Sequence, residues 1–395
     1  MALRFLTAGE SHGPGLVAIV EGLPAGLPVD ETQLNHELAR RQRGLGAGPR
    51  MRIERDRARI LAGVLEGHTT GAPVALYIAN RDHAKWQGRE VPPFTTPRPG
   101  HGDLAAVLKY GYTDIRPALE RASARETAAR VAVGALLKQL LARVGIRVQG
   151  YVTAIGPVQA TAVPEDIPTR WARAEASPVR CPDPQAAAAM EDAIRAAQQA
   201  RDTLGGVIEV VALGVPPGLG SHVHWDRRLD ARLAAAVMSI PAIKGVALGD
   251  AWAQARLPGT QAHDAIRRAG PRLTRPTNRA GGVEAGISNG QPVVVRAAMK
   301  PIATTLTPQP TVDLHTGAET ETRYERSDFC PVPRAVPVVE AMVAFVLADA
   351  LLEKLGGDTL AELEARFATL RQATVTDAAL DGRKHRFWPA PPDQP

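Results

Sequence analysis

The feature that most constrains this 395-residue chain is the stretch from residue 334 to 355, RAVPVVEAMVAFVLADALLEKL, which reads as a helix apolar on almost every side. A helix with one apolar stripe can lie on a surface, but one that is apolar all round needs neighbours on every side. The stretch therefore predicts a helix at the centre of the molecule or at a subunit contact.

The elements expected around it are mixed. Strands are expected over residues 3–8, 15–21, 59–65, 73–79, 147–155, 206–214 and 291–298. Helices are expected from Asp30 through Arg41, from Glu126 to Arg143, and over 185–202, 228–240 and 358–372. Strands and helices do not alternate as clean βαβ units, which favours an α+β fold over a doubly wound sheet. No sharp linker appears, so residues 1–372 are expected to form one catalytic domain, with a mobile tail over 373–395. Asn80 to Gly102, rich in Pro, Gly and charge, predicts a long loop of the kind that carries function.

Composition excludes several classes. No run of about 18 apolar residues appears, so no membrane span is expected. The first residues, Met1 to Phe5, lack the regions of a signal peptide, which points to the cytoplasm. Two cysteines, Cys181 and Cys330, argue against a disulfide framework or a cysteine zinc site. Only seven of the 47 basic residues are lysine, and the net charge is +6. Arginine presents a planar fork of donors suited to carboxylate and phosphate, although a codon bias toward arginine would give the same count. Aromatic residues are 4% of the chain, too few for the stacking platform of a single-strand nucleic-acid binder. No Walker-type phosphate loop occurs. His222 and His224 alternate in the manner of metal ligands, but no third ligand is evident, and Ser221 or Asp226 more simply caps the next helix.

Five stretches could carry chemistry. Gly9-Glu10-Ser11-His12-Gly13 is a glycine-flanked turn presenting His12, whose unperturbed pKa suits proton transfer to an anion near neutral pH. Arg98-Pro99-Gly100-His101-Gly102-Asp103 presents His101, with Asp103 close enough to orient it. In Arg121-Ala122-Ser123-Ala124-Arg125-Glu126, Ser123 and Glu126 fit a capping box at the start of a helix. Arg121, Arg125 and Arg130 crowd that end, which already repels cations, so a bound anion is expected there. Arg326-Ser327-Asp328 precedes the apolar helix, and Lys300-Pro301-Ile302-Ala303-Thr304 follows a strand. Each alone also reads as an ordinary turn, cap or loop.

In their order and spacing these stretches resemble the chorismate synthase family over roughly residues 1–370. Further matches are Gly205-Gly206, Ser239 to Gly245 and Asn278 to Gly282. The resemblance implies a β-α-β sandwich, a single large domain with central helices between antiparallel sheets, assembled as a homotetramer. It implies a lyase that converts 5-enolpyruvylshikimate 3-phosphate to chorismate by 1,4-anti elimination of phosphate, dependent on reduced FMN, with no nucleic-acid or membrane partner. His12 matches a histidine near the substrate phosphate, His101 one near the flavin, and Asp328 an aspartate that assists proton handling there. Arg41, Arg50, Arg125 and Arg326 match basic residues lining the cleft. Arg121, Ala122, Ser123, Pro241, Ala242, Ala285, Lys300, Pro301, Ile302, Ala303, Thr304 and Arg326 match flavin-contacting positions. Ala47 departs from the pattern: the family usually has a basic residue there, in a loop given a nicotinamide (NADP) role, and Arg43 stands four residues earlier.

Overall fold

The structure, a computed structural model, describes residues 3–47, 55–323 and 328–384. Two antiparallel sheets enclose a layer of helices. The first sheet has four strands, β1 (Arg4–Ala8), β2 (Gly15–Glu21), β3 (Ala58–Ala62) and β4 (Val74–Ala79), in the order β1-β2-β4-β3. The second has five, β5 (Arg147–Ile155), β6 (Val158–Gln159), β7 (Gly206–Leu213), β8 (Ile243–Leu248) and β9 (Val293–Met299), in the order β8-β9-β7-β5-β6.

The period-2 pattern decides which face of the first sheet is covered. Leu16, Ala18 and Val20 of β2 and Val74, Leu76 and Ile78 of β4 are buried. Leu6 and Ile19, paired across β1 and β2, lie on the other face and are exposed.

Between the sheets run α1 (Glu31–Gln42), α4 (Thr127–Arg143) and α8 (Val332–Leu355), together with α7 (Leu229–Met238). α8 has the length and composition of a membrane span, but 89% of its apolar window is buried inside the molecule. Its all-round apolarity is met by α4 on one side and by β5 and β7 on another. At the α4–α8 crossing, a Cβ added to Gly134 would lie 2.2 Å from the Ala341 Cβ, so only glycine permits the contact.

A carboxylate sits in this layer, held by cations of the neighbouring helices. Glu340 of α8 is fully buried and accepts hydrogen bonds from Arg40 (2.7 and 3.0 Å), Lys138 (2.5 Å) and the Gly150 N–H (2.8 Å). Burial opposes its charge, but Arg40 and Lys138 outweigh burial and hold the carboxyl below its ordinary range. The network ties α1, α4, α8 and β5 into one register.

The expected elements form with small shifts of boundary. Asp30 is the cap of α1, accepting from Thr32 N and Gln33 N. The helix expected over 358–372 is shorter, α9 (Leu360–Ala368), opened by a capping box of Thr359 and Glu362. Helices α2 (Asp103–Tyr110), α3 (Arg116–Arg121) and α5 (Ile167–Ala176) were not expected from the pattern, whereas α6 (Pro184–Gln199) was. Two expected caps take other roles. Ser221 accepts from Val223 N, and Asp226 pairs with His224 at 2.7 Å, leaving α7 without a side-chain cap. Residues 271–273 pair with 373–375 at the surface, with Leu273 N donating to Ala373 O and Val375 N to Pro271 O.

Candidate active site

The turn between β1 and β2 is tight because Gly9 sits at φ 113°, where an added Cβ would come 2.3 Å from Gly15 O. That turn hangs from Asn80, whose side-chain amide donates to Glu10 O (3.0 Å) and Gly13 O (2.8 Å). His12 is held on two sides. Its Nδ1 lies 2.6 Å from Glu120 Oε1 and its N–H donates to Glu120 Oε2 at 2.7 Å. Its ring packs on Trp86 at 4.6 Å between centroids. Ser11, almost fully buried, meets Ser123 at 3.2 Å between hydroxyls.

From Asn80 the network runs into a buried arginine cluster. Arg125 Nε donates to Asn80 Oδ1 (2.8 Å) and its Nη1 to Asp56 Oδ1 (2.6 Å). Asp56 also faces Arg41 at 3.5 Å. Arg41 donates to Thr127 Oγ1 and to Ala124 O, and Arg334 donates to Arg41 O and pairs with Asp328. Among the described residues, three guanidinium groups thus share two carboxylates in a space that is largely closed to water. Burial, reinforced by Arg334 and Arg125, pushes the Arg41 guanidinium down to about 9 against the pull of Asp56. An anion brought beside this cluster would offset that repulsion.

A second group forms around His101. Its Nδ1 lies 2.6 Å from Asp103 Oδ1, and Arg98 grips the same carboxylate through Nε (2.8 Å) and Nη2 (3.0 Å). Burial would raise the Asp103 carboxyl, but the hydrogen bonds from His101 and Arg98 outweigh it and hold it well below the usual carboxylate range. Arg98 also reaches Thr304 Oγ1 (3.2 Å), and Lys300 Nζ donates to Gly100 O (3.0 Å). Burial, then the neighbouring Lys244, pushes the Lys300 ammonium down. The two groups meet through Thr203 and Leu204: Thr203 Oγ1 donates to Ile302 O and Leu204 N to Phe329 O, beside Asp328.

His12, Arg41, Arg125 and Asp328 are therefore joined in one network, and His101, Lys300, Pro301, Ile302, Ala303 and Thr304 gather in the adjoining one. Ser123 belongs to the first through Ser11. Ala242, which follows Pro241, is in the left-handed region at φ 69° and its carbonyl accepts the Lys300 N–H at 2.9 Å. A non-glycine residue held there is strained, as is common at functional sites. Ala285 is also left-handed (φ 49°), but it lies in a turn at the opposite end of α7, where Leu229 N donates to Gly286 O. Ten helical residues, about 15 Å, separate that turn from Ala242. Within one chain, Ala285 is not joined to the other candidates. Arg50 and Arg326 lie outside the described residues.

The expected capping box at Ser123 does not form. Residues Ala124–Glu126 make a 3₁₀ turn in which Ser123 accepts from Arg125 N, while Glu126 turns to Thr7 Oγ1 (2.7 Å) and Arg130 (2.9 Å). Nor do the three arginines gather round one anion. Arg121 donates to Thr7 O, Arg130 is answered by Glu126, and Arg125 alone enters the buried cluster. Carboxylates answer Arg125 and Arg130, while Arg121 meets the Thr7 carbonyl and hydroxyl.

The pattern missed Asp56, Asn80, Glu120 and Arg334. Each is a single polar residue in a loop or at a helix end; the partners of Asp56, Asn80 and Glu120 are far away in sequence, and Arg334 lies among the apolar residues that open α8, six residues from Asp328. A pocket of about 180 Å³ lined by Arg43, Gly44, Glu175, Ala176, Ser177, Pro178 and Arg180 lies apart from the candidate residues. Among the described residues no group of three His, Cys, Asp or Glu could hold a metal ion.

A helical layer between two antiparallel sheets, with carboxylate-held histidines beside buried guanidinium groups, is the arrangement of an enzyme that acts on a small molecule. The family model for chorismate synthase matches residues 3–352. A chorismate synthase of Moorella thermoacetica is 56% identical over 380 residues, covering 94% of this chain and 98% of its own. One from Symbiobacterium thermophilum is 54% identical, covering 92% and 97%. A crystal structure of chorismate synthase superposes with a TM-score of 0.76 at 45% identity, covering 93% of this chain and 97% of that one. The chain belongs to the chorismate synthase family, carbon–oxygen lyases of aromatic amino acid biosynthesis.

Proposed function

We propose that the chain eliminates phosphate from 5-enolpyruvylshikimate 3-phosphate in the 1,4-anti sense, giving chorismate, with reduced FMN bound. The observation that carries this reading is the joining of His12, Arg125, Arg41 and Asp328 around an excess of buried positive charge. The substrate brings a phosphate and two carboxylates, and those guanidinium groups suit it.

His12 is the proton donor to the leaving phosphate. With Nδ1–H held by a carboxylate, which can only accept, its Nε2 is the nitrogen that can give up a proton. Arg125 and Arg41 bind the anionic reactant and stabilise the charge that grows on the phosphate oxygen. Asp328, paired with Arg334, is the carboxylate that holds or passes a proton at the other end. The residues present fit a flavin phosphate, because Lys300 beside Lys244 and Arg98 form a cationic rim with a surplus that an anion would offset. His101, Lys300 to Thr304, Ala242, and Arg121 to Ser123 would hold the cofactor. When bound, reduced FMN supplies electron density to the allylic system.

We further propose a homotetramer. The outer face of the first sheet exposes Leu6, Ile19 and Leu61, an apolar surface of the sort that subunits cover. Light scattering on the purified chain tests the assembly. Anaerobic incubation with reduced FMN and the enolpyruvyl substrate, following phosphate and chorismate, tests the reaction. Equimolar release of both is expected. NADPH consumption with untouched substrate would indicate a flavin reductase instead.

A further inference from the structure

The last turn of α3 grips the β1–β2 turn through one residue. Glu120 Oε1 lies 2.6 Å from His12 Nδ1, its Oε2 accepts the His12 N–H at 2.7 Å, and its backbone carbonyl accepts the Ser11 N–H at 3.2 Å. The His12 carbonyl is in turn 2.9 Å from His83 Nδ1, and Trp86 covers the ring. Both oxygens of one carboxylate are thus spent on one histidine, with the side chains of both residues only about a fifth exposed.

We propose that Glu120 is a positioning residue for His12, fixing the Nδ1–H tautomer and the ring plane so that Nε2 faces the leaving phosphate. This rests on the reading of His12 as proton donor. The proton on Nε2 passes to the phosphate oxygen that takes the electron pair of the breaking C–O bond. The donor is thus the imidazolium, and it is left as the neutral imidazole with its Nδ1–H still held by Glu120. A carboxylate orients a catalytic imidazole in the same way in other acid–base sites.

Two measurements on the full chain test the proposal. The first is ¹⁵N NMR of histidine-labelled protein without substrate. In alkaline buffer, where the imidazole is in its neutral form, wild type is expected to show His12 protonated at Nδ1 with a pyridine-type Nε2, and Glu120→Ala to lose that single tautomer. The second is a double-mutant cycle. Glu120→Ala is expected to lower kcat by about 10–100-fold with substrate KM within about threefold, and to cost less than about threefold in a His12→Ala background. Glu120→Gln keeps the side-chain volume and one acceptor, so it is expected to fall between, which guards against loss from misfolding. An unchanged tautomer, or equal losses in both backgrounds, overturns the positioning role. A wild-type chain that releases no phosphate overturns the proton role of His12, and the NMR arm still decides whether Glu120 sets the ring.

Discussion

At the scale of single residues, the two histidines differ in what holds them, and this separates their expected behaviour. His12 is fixed by a glutamate on a neighbouring helix, and His101 by an aspartate two residues away that Arg98 keeps ionised. His12→Ala and His101→Ala are each expected to lower kcat by about 10²-fold or more, within the range of general acid–base catalysis, with flavin affinity changed only modestly. Anaerobic stopped-flow turnover with a flavin titration checks this, and wild-type rates in either variant would remove the proton roles. Arg125 needs a gentler substitution, because it also neutralises Asp56 in a buried place. Arg125→Ala would strand that carboxylate and confuse binding with folding. Arg125→Lys keeps the charge but loses the fork, and is expected to raise substrate KM about tenfold or more at near-wild-type stability. An unchanged KM would take Arg125 out of the anion site. The two histidines were legible because glycine and proline mark the turns that present them. Glu120 and Asp56 were not, since nothing local distinguishes a carboxylate that will be met from far along the chain.

At the scale of elements, hydrophobic period placed the long helices and strands within a few residues, because burial of a face is written into spacing. It failed where a segment is short or half-exposed. α2 and α3 bury few residues and carry mixed faces, so the 103–121 region shows no clean period. The Ser123–Glu126 spacing matched a capping box, yet Thr7 of the neighbouring strand and Arg130 one turn on took the Glu126 carboxylate instead. One element-scale contact is sharp enough to test. Gly134 on α4 meets Ala341 on α8 so closely that an added Cβ has nowhere to go. Gly134→Ala should raise helix propensity and still destabilise the protein by about 1–3 kcal/mol, since overpacking outweighs propensity at a closed crossing. Urea unfolding measures it, and a stabilised variant would mean the two helices can separate without cost.

At the scale of the whole molecule, the all-round apolar helix was the strongest constraint in the sequence, and it does sit at the centre between two sheets. The Glu340 network was invisible beforehand, because a glutamate in an apolar run gives no sign of whether it faces water or partners. Its energetics can be argued through. Replacing Glu340 by Ala leaves Arg40 and Lys138 buried with less compensation and is expected to cost about 3–5 kcal/mol. Glu340→Gln keeps the volume and some hydrogen bonds and should cost less. The pH dependence has a definite sign. The folded carboxyl is held below its unfolded value of about 4.3, so the stability it contributes is complete above that value and lost as pH falls through the folded one. The stability gap between wild type and Glu340→Gln should then be flat above about pH 5 and close on acidification below about pH 4. Denaturant melts across pH 3–8 would show it. A gap as wide at the acid end as at neutrality would mean that Glu340 is not ionised in the folded protein, and that the four elements it joins are held in register by packing alone.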